Sequence, residues 1–338
     1  MPNVLKPART FAEQIALMES RGMLIDDMDK ATQSLQRLNY YRISGYAYLF
    51  RGTDGRYEAD THFEAIIKIM AFDQALRKVL MGALEPIEIY ARTQIAYWFS
   101  HNHARDGGAY YDVQYFKHRD HHAQFMSNLS KQIARNRHQP FVKHHIQAYD
   151  RQMPLWCAVE LLSFSTLSKM YSNMLNDDRE SIARSMNCDS KHLENWLHCF
   201  SVLRNGCAHY ARLYGAKLNP PASLDPKTWT TYKEISQRSL FAYVVAMLRL
   251  LPEDSWRERL QNQLVDVVHE YESFISLEQI GFPPNWDTLL FDKKLISLTP
   301  LGKTEKPCDG GDSGSALLAQ TASLAPEVDA ATTAARDS

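Results

Sequence analysis

What this chain of 338 residues lacks narrows its class before any motif is read. It has no run of about 18 or more apolar residues, the length that would suggest a membrane span. Its richest stretch, residues 240–251, is interrupted by Arg249 and predicts a core helix. No leading apolar segment precedes a cleavage site, so the expectation is a soluble, cytoplasmic protein without a membrane partner. Cysteine is scarce: five residues, an odd number, with no close-paired spacing. That argues against a thiolate metal centre and against a disulfide framework. Stretches alternating with the period of two expected of strands are few, and no internal repeat is seen. A strong charge of either sign is also missing, since the net charge is −1.

What is present is helical periodicity almost throughout. Thr10 is placed to cap a helix beginning at Phe11, and a second runs over about 27–38. Residues 62–97 keep a three-four apolar spacing, with Pro86 predicted to kink or break the run. Helices are expected over 125–146, 156–174, 190–214, 232–251 and 254–275. The fold class is therefore all-α, one helical domain over residues 1–302, whose first 60 residues are a candidate small helical part. The last 36 residues, 303–338, rich in Ala, Thr, Ser, Asp and Gly, predict a disordered tail.

Charge is unevenly placed. Residues 303–338 hold three basic and six acidic side chains, so the remainder of the chain is +2. Between Lys117 and His145, six Lys or Arg, among them Lys131, Arg135, Arg137 and Lys143, face one acid, Asp120, with six histidines interleaved. Such a stripe can follow a phosphate backbone, with Tyr115, Phe116 and Phe141 as candidate rings for stacking on bases. A solvated basic helix pair is the alternative reading.

The most informative segment is Leu203-Arg204-Asn205-Gly206-Cys207-Ala208-His209-Tyr210-Ala211-Arg212-Leu213-Tyr214. The helix expected over 190–214, to which it belongs, puts Trp196, Cys199, Phe200, Leu203, Cys207, Tyr210 and Tyr214 on a buried stripe. Cys199 and Cys207 then become buried free thiols. At about 100° per residue, His198, Asn205, His209 and Arg212 project to the other side, with Arg204 on the flank. Arginine grips phosphate oxygens with a permanent charge, and histidine exchanges protons near neutrality. Together with an asparagine one turn before the histidine, they suit phosphodiester chemistry without a metal.

Several blocks of the chain resemble the Abi-like family of bacterial abortive-infection proteins, of the AbiD and AbiF kind, within the HEPN superfamily. They are Leu38-Asn39-Tyr40-Tyr41-Arg42-Ile43-Ser44-Gly45-Tyr46, Phe72-Asp73-Gln74-Ala75-Leu76-Arg77 and Ile87-Glu88-Ile89-Tyr90-Ala91-Arg92-Thr93. Pro154-Leu155-Trp156 with Glu160 to Phe164, the Leu-Arg-Asn-x-x-Ala-His segment, and Gly281-Phe282-Pro283 with Trp286 complete the set, covering residues 6–291. The resemblance implies a HEPN-type helical bundle with additional helices and no cofactor or metal. It also implies a homodimer whose two copies of Arg204, Asn205 and His209 form one catalytic site. The implied activity is an anti-phage endoribonuclease leaving 2′,3′-cyclic phosphate and 5′-hydroxyl ends, held in check by a structured non-coding RNA.

Supporting roles are expected of Glu88 and Arg92, spaced i,i+4 as in a helix ion pair, and of Arg212 on a neighbouring phosphate. The basic residues Lys131, Arg135, Arg137 and Lys143 are the candidate RNA-docking surface. Glu160, inside an apolar stretch, would need a partner if buried. A metal-dependent hydrolase built on His101-x-His103 or the 118–122 His-rich run is a competing reading, but i,i+2 histidines do not share a helix face and no His-Glu-x-x-His occurs. Another is a non-catalytic RNA-binding or regulatory protein of the same fold. Control by modification of a tyrosine two positions after the histidine meets Ala211 at that place, with Tyr210 adjacent instead.

Overall fold

The computed structural model describes residues 7–297. The expected tail at 303–338 lies outside them. Fifteen α-helices and no strand occur among the described residues, with three isolated bridges. In chain order they are α1 (Phe11–Ser20), α2 (Met28–Arg37), α3 (Tyr40–Ala47), α4 (Phe63–Asn102), α5 (Arg119–Arg135), α6 (Pro140–Ala148), α7 (Leu155–Ala158) and α8 (Phe164–Asn173). There follow α9 (Asn176–Ser185), α10 (Ser190–Ala208), α11 (Pro226–Thr231), α12 (Leu240–Leu250), α13 (Asp254–Tyr271), α14 (Trp286–Leu290) and α15 (Lys293–Ile296). The all-α class is as the periodicity predicted.

Local chemistry sets many of the starts. Thr10 and Glu13 satisfy each other's backbone N–H groups in a reciprocal cap. Asp27 accepts from the Lys30 N–H, and Asp189 from those of Lys191 and His192. The axis of the molecule is α4, forty residues and about 60 Å long. Its buried positions, Ile66, Ile69, Phe72, Leu76, Leu80, Leu84, Ile87, Ala91, Ile95 and Phe99, recur at three-four spacing from end to end. Against it pack α3, α7, α9, α10, α12 and α13. The buried side chains of α1 to α3 belong to the same hydrophobic core.

Besides the helix expected over 232–251, which starts only at Leu240, three expected helix courses are corrected. First, Pro86 does not break α4, which continues through it. Nothing lies within 4 Å of a Cβ at Gly82, leaving room for the carbonyl that loses its donor to turn from the ring. Second, the single helix expected over 125–146 is two: α5 ends at Arg135, and Pro140 takes the first position of α6, where its missing N–H costs nothing. Third, the helix expected over 156–174 breaks at Leu162–Ser163, where Leu162 is extended and Ser163 caps α8 through the Thr166 N–H.

The apolar run of α12 is buried over all eleven residues, Arg249 included. Its guanidinium donates to the Leu295 carbonyl (2.9 Å), Thr228 Oγ1 (2.8 Å) and Asp225 Oδ2 (3.1 Å). Burial raises the Asp225 carboxyl, but hydrogen bonds from Thr228 and Arg249 outweigh it and hold the group at about 2. Unfolded Asp225 binds protons first as pH falls, so its contribution is present above about pH 4 and disappears toward pH 2. Thermal melts of wild type and Asp225→Asn should therefore differ at pH 6 and converge between about pH 4 and pH 2; a gap independent of pH would contradict this.

Candidate active site

Helix α10 buries Leu193, Trp196, Leu197, Cys199, Phe200, Leu203 and Cys207 and packs against α8, α4 and α9. It ends at Ala208, not at residue 214 as the sequence suggested. Tyr210 takes a left-handed conformation (φ 59°), its N–H donates to the Cys207 carbonyl (3.2 Å), and the Ala211 N–H reaches back to Gly206 (2.8 Å). This is a Schellman termination with tyrosine where glycine is usual. Tyr210, expected on the apolar stripe, is consequently 68% exposed. His209 becomes the helix C-cap, also exposed.

A buried carboxylate holds the strap beyond that stop. Asp73 of α4 has no exposed surface. It accepts the Tyr46 hydroxyl (2.6 Å), Arg77 Nη1 (2.6 Å), the Tyr214 N–H (2.9 Å) and the Leu213 N–H (3.2 Å). Arg77 also donates to the Ala211 carbonyl (3.1 Å), and Arg42 of α3 to that of Tyr210 (3.0 Å). Four successive peptide units after the strap's left-handed turn are thus pinned by side chains of α3 and α4. Burial, then the neighbouring Asp73 charge, pushes the Tyr46 phenol up to about 12. Arg212 leaves the polar face on which it was expected. It is half-buried, donates to the Gly45 carbonyl, and lies over the Tyr46 ring at 5.9 Å.

Two of the motif side chains, Arg204 and Asn205, lie against α4 and α8, while His209 is exposed at the α10 terminus. Arg204 keeps 40% of its side chain exposed, with Nε 3.7 Å from Glu88 Oε2. The other Glu88 oxygen pairs with Arg92, so one carboxylate bridges two guanidinium groups. Arg92 also donates to the Val159 carbonyl and to that of Leu162 (2.8 Å). Those carbonyls flank the break before α8, which is why the chain turns there. Asn205 donates to Ser165 Oγ (3.1 Å) and faces Arg204 at 3.5 Å. Its amide is therefore turned toward α8 rather than toward the imidazole. The His209 ring projects into solvent. Cys207, beside the motif, is not a candidate nucleophile: burial raises its thiol to about 12.

Asp73 and Ser165 carry positions that the residue pattern alone did not single out for the site. Asp73 sits within a helical apolar repeat, and only its burial beside Arg77 reveals its task. Ser165 is one small polar residue in an apolar block. Glu160, expected to need a buried partner, is exposed.

The basic residues Lys131, Arg135, Arg137 and Lys143 are all exposed, on α5, the turn after it and α6. Their expected aromatic companions are not free. Phe116 is buried against Phe99 and His122, Tyr115 packs on His103, and Phe141 is half-buried on the core. Tyr149, which the sequence did not mark, is the exposed ring there. Among the histidines weighed as metal ligands, His118 and His121 are exposed with ring centroids 5.1 Å apart, and the others have separate partners. His101 stacks on Tyr97, His103 pairs with Asp178, and His122 is buried against the Tyr110 carbonyl. One group of metal-ligating type, Asp26, His62 and Glu64, occurs among the described residues, at the start of α4.

The family described as "Abi-like protein" matches residues 33–215, more than half of the chain and the whole of the Asp73–α10 assembly. The chain belongs to the Abi-like protein family. No curated protein and no solved structure matches it. Among the described residues no helix is long and apolar enough to cross a membrane. The matched region begins within α2 and ends at Gly215, just past the strap that Asp73 holds.

Asp73→Asn would keep the shape of the hub but leave the Arg77 charge buried without its counter-ion. Denaturant unfolding should show a loss of about 3–5 kcal/mol. A loss below about 1 kcal/mol, the range of an exposed pair, would show that the hub contributes little.

Proposed function

We propose that this Abi-like protein is a metal-independent endoribonuclease of HEPN type, acting in the cytoplasm in abortive-infection defence. The observation that supports it is the end of α10, where His209 is exposed and a part-exposed Arg204 and a half-buried Asn205 are anchored from behind by Glu88 and Ser165. In the reaction a base removes the 2′-hydroxyl proton and the 2′-oxygen attacks phosphorus. The 5′-oxygen then leaves with a proton from an acid. The products are a 2′,3′-cyclic phosphate and a 5′-hydroxyl. Arg204 stabilises the charge gathering on the phosphorane oxygens, and His209 takes or gives the proton. Asn205, held by Ser165, presents the motif to the substrate.

The motif supplies one such histidine per chain, and two would divide the base and acid roles best, so the site is shared across a two-fold dimer. Exposed apolar side chains support this: Val202 lies on the same face of α10 as Asn205 and His209, and Ile89 and Tyr97 lie on one face of α4. A structured RNA restrains the enzyme through Lys131, Arg135, Arg137 and Lys143. Arg212, fixed beneath the strap, offers its remaining N–H groups to a neighbouring phosphate. A second reading, an RNA-binding regulator without cleavage, has one observation in its favour: Glu88 already engages Arg204.

Incubation with total RNA in EDTA tests both. Wild type should release fragments with cyclic phosphate ends, and His209→Ala and Arg204→Ala should cut at least about 100-fold more slowly. Equal rates for wild type and His209→Ala would refute the catalytic assignment, while binding without cleavage by all three would favour the regulator. In the same preparations, Arg135→Glu with Arg137→Glu should weaken RNA retention and flatten its salt dependence. Unchanged retention would remove that docking surface.

A further inference from the structure

A large cleft lies not at the α10 terminus but on the other side of the strap. It measures about 840 Å³ and lies between α1, α3 and the segment from Tyr48 to Tyr57. That size falls within the range of about 300–1,000 Å³ usual for ligand sites. Five arginines line it: Arg9, Arg21, Arg42, Arg51 and Arg212. No Asp or Glu does. Among the described residues, arginine–carboxylate pairs are made instead by Arg77, Arg92, Arg179, Arg204, Arg249 and Arg257. Among the described residues none of the five cleft arginines makes an ion pair with a carboxylate, although Glu13 of α1 lies near enough to Arg9 for their charges to interact.

Tyrosines interleave them: Tyr40, Tyr41, Tyr46, Tyr48 and Tyr57. Tyr46 and Tyr57 are buried in the floor, whereas Tyr41 is 84% and Tyr48 65% exposed at the mouth. Large aromatic rings left in water beside a cluster of guanidinium groups suit one kind of ligand best. An apolar molecule would leave the cationic field unanswered, and a bare inorganic anion would leave the rings unused. A planar base carrying phosphate satisfies both, the rings by stacking and the guanidinium groups by paired N–H donation to phosphate oxygens.

We infer that this cleft is a nucleotide-binding site, taking a nucleoside phosphate with its base against Tyr41 and Tyr48 and its phosphates toward Arg9 and Arg21. Arg42 and Arg212 each use one N–H on a strap or α3 carbonyl and keep others for the ligand. Arg42 holds the carbonyl of Tyr210, the residue next to His209, so an occupied cleft bears directly on the position of the α10 terminus. The site goes beyond the nuclease reading and does not need it. A nucleotide within a single-stranded RNA and a free nucleotide share the chemistry.

The test uses the full chain carrying His209→Ala, so that binding is read whether or not the wild type cuts RNA. A short labelled single-stranded RNA, 5′-AMP and ATP are titrated separately. At least one should bind. Tyr41→Ala with Tyr48→Ala, and separately Arg9→Glu with Arg21→Glu, should each weaken it about tenfold or more without lowering the melting temperature. Binding of AMP or ATP identifies a free-nucleotide site, and binding of the oligonucleotide alone identifies an RNA groove. Failure of all three ligands to bind, or affinity unchanged in both double variants, overturns the inference. Photocrosslinking of 4-thiouridine RNA or 8-azido-ATP gives a readout independent of the variants. Adducts on peptides containing Tyr41 or Tyr48 are expected, and adducts confined to other peptides would overturn it.

Discussion

The ordered surroundings of the motif depend on one buried carboxylate. Asp73, wholly enclosed, is tolerable only because Arg77, the Tyr46 hydroxyl and two backbone N–H groups meet it at once. Each partner comes from a different part of the chain: the same helix, the short α3, and the strap after α10. Removing Asp73 would leave the Arg77 charge and two peptide N–H groups without this partner. The hub therefore fixes the relation of three segments with little freedom to slide. Bulk hydrophobic packing, being non-directional, does not impose such a relation by itself.

That fixation explains why the polar residues at the end of α10 stand where they do. The helix terminates with a tyrosine in a left-handed conformation, a geometry that ordinarily favours glycine. The strap is held by Arg42, Arg77 and Asp73 on the far side of the turn, and this offsets the local strain. The turn in turn leaves His209 in solvent while Cys207, two residues earlier, stays in the core. On the facing side, Glu88 and Arg92 tie α4 both to Arg204 and to the break that launches α8, which carries Ser165. The candidate site and the cleft beneath Arg42 are thus two faces of one strap.

Much of this was legible in the residues. The cap at Thr10 and the long periodic run of α4 are local patterns, and local patterns survive folding. The ends of helices were harder wherever a distant group decided them. The break at Leu162–Ser163 is stabilised by Arg92, seventy positions before Leu162, and no window of neighbouring residues contains it. The helix expected over 190–214 stops short instead, at a left-handed Tyr210 whose carbonyl is held by Arg42 of α3. The same limit applies to the rings near the basic stretch: Tyr115, Phe116 and Phe141 have the composition of a stacking surface, but tertiary packing turned them inward. The cleft arginines are spread from residue 9 to residue 212 and become a group only in three dimensions.

The central physical claim is that Asp73 clamps the strap on which the geometry of the α10 terminus rests. Amide hydrogen exchange at Leu213 and Tyr214 reads that clamp directly, because both N–H groups donate to the buried carboxylate. The account predicts that these two amides exchange only as fast as the core of α4 opens. Exchange at the rate of exposed loop amides in the intact protein would contradict it.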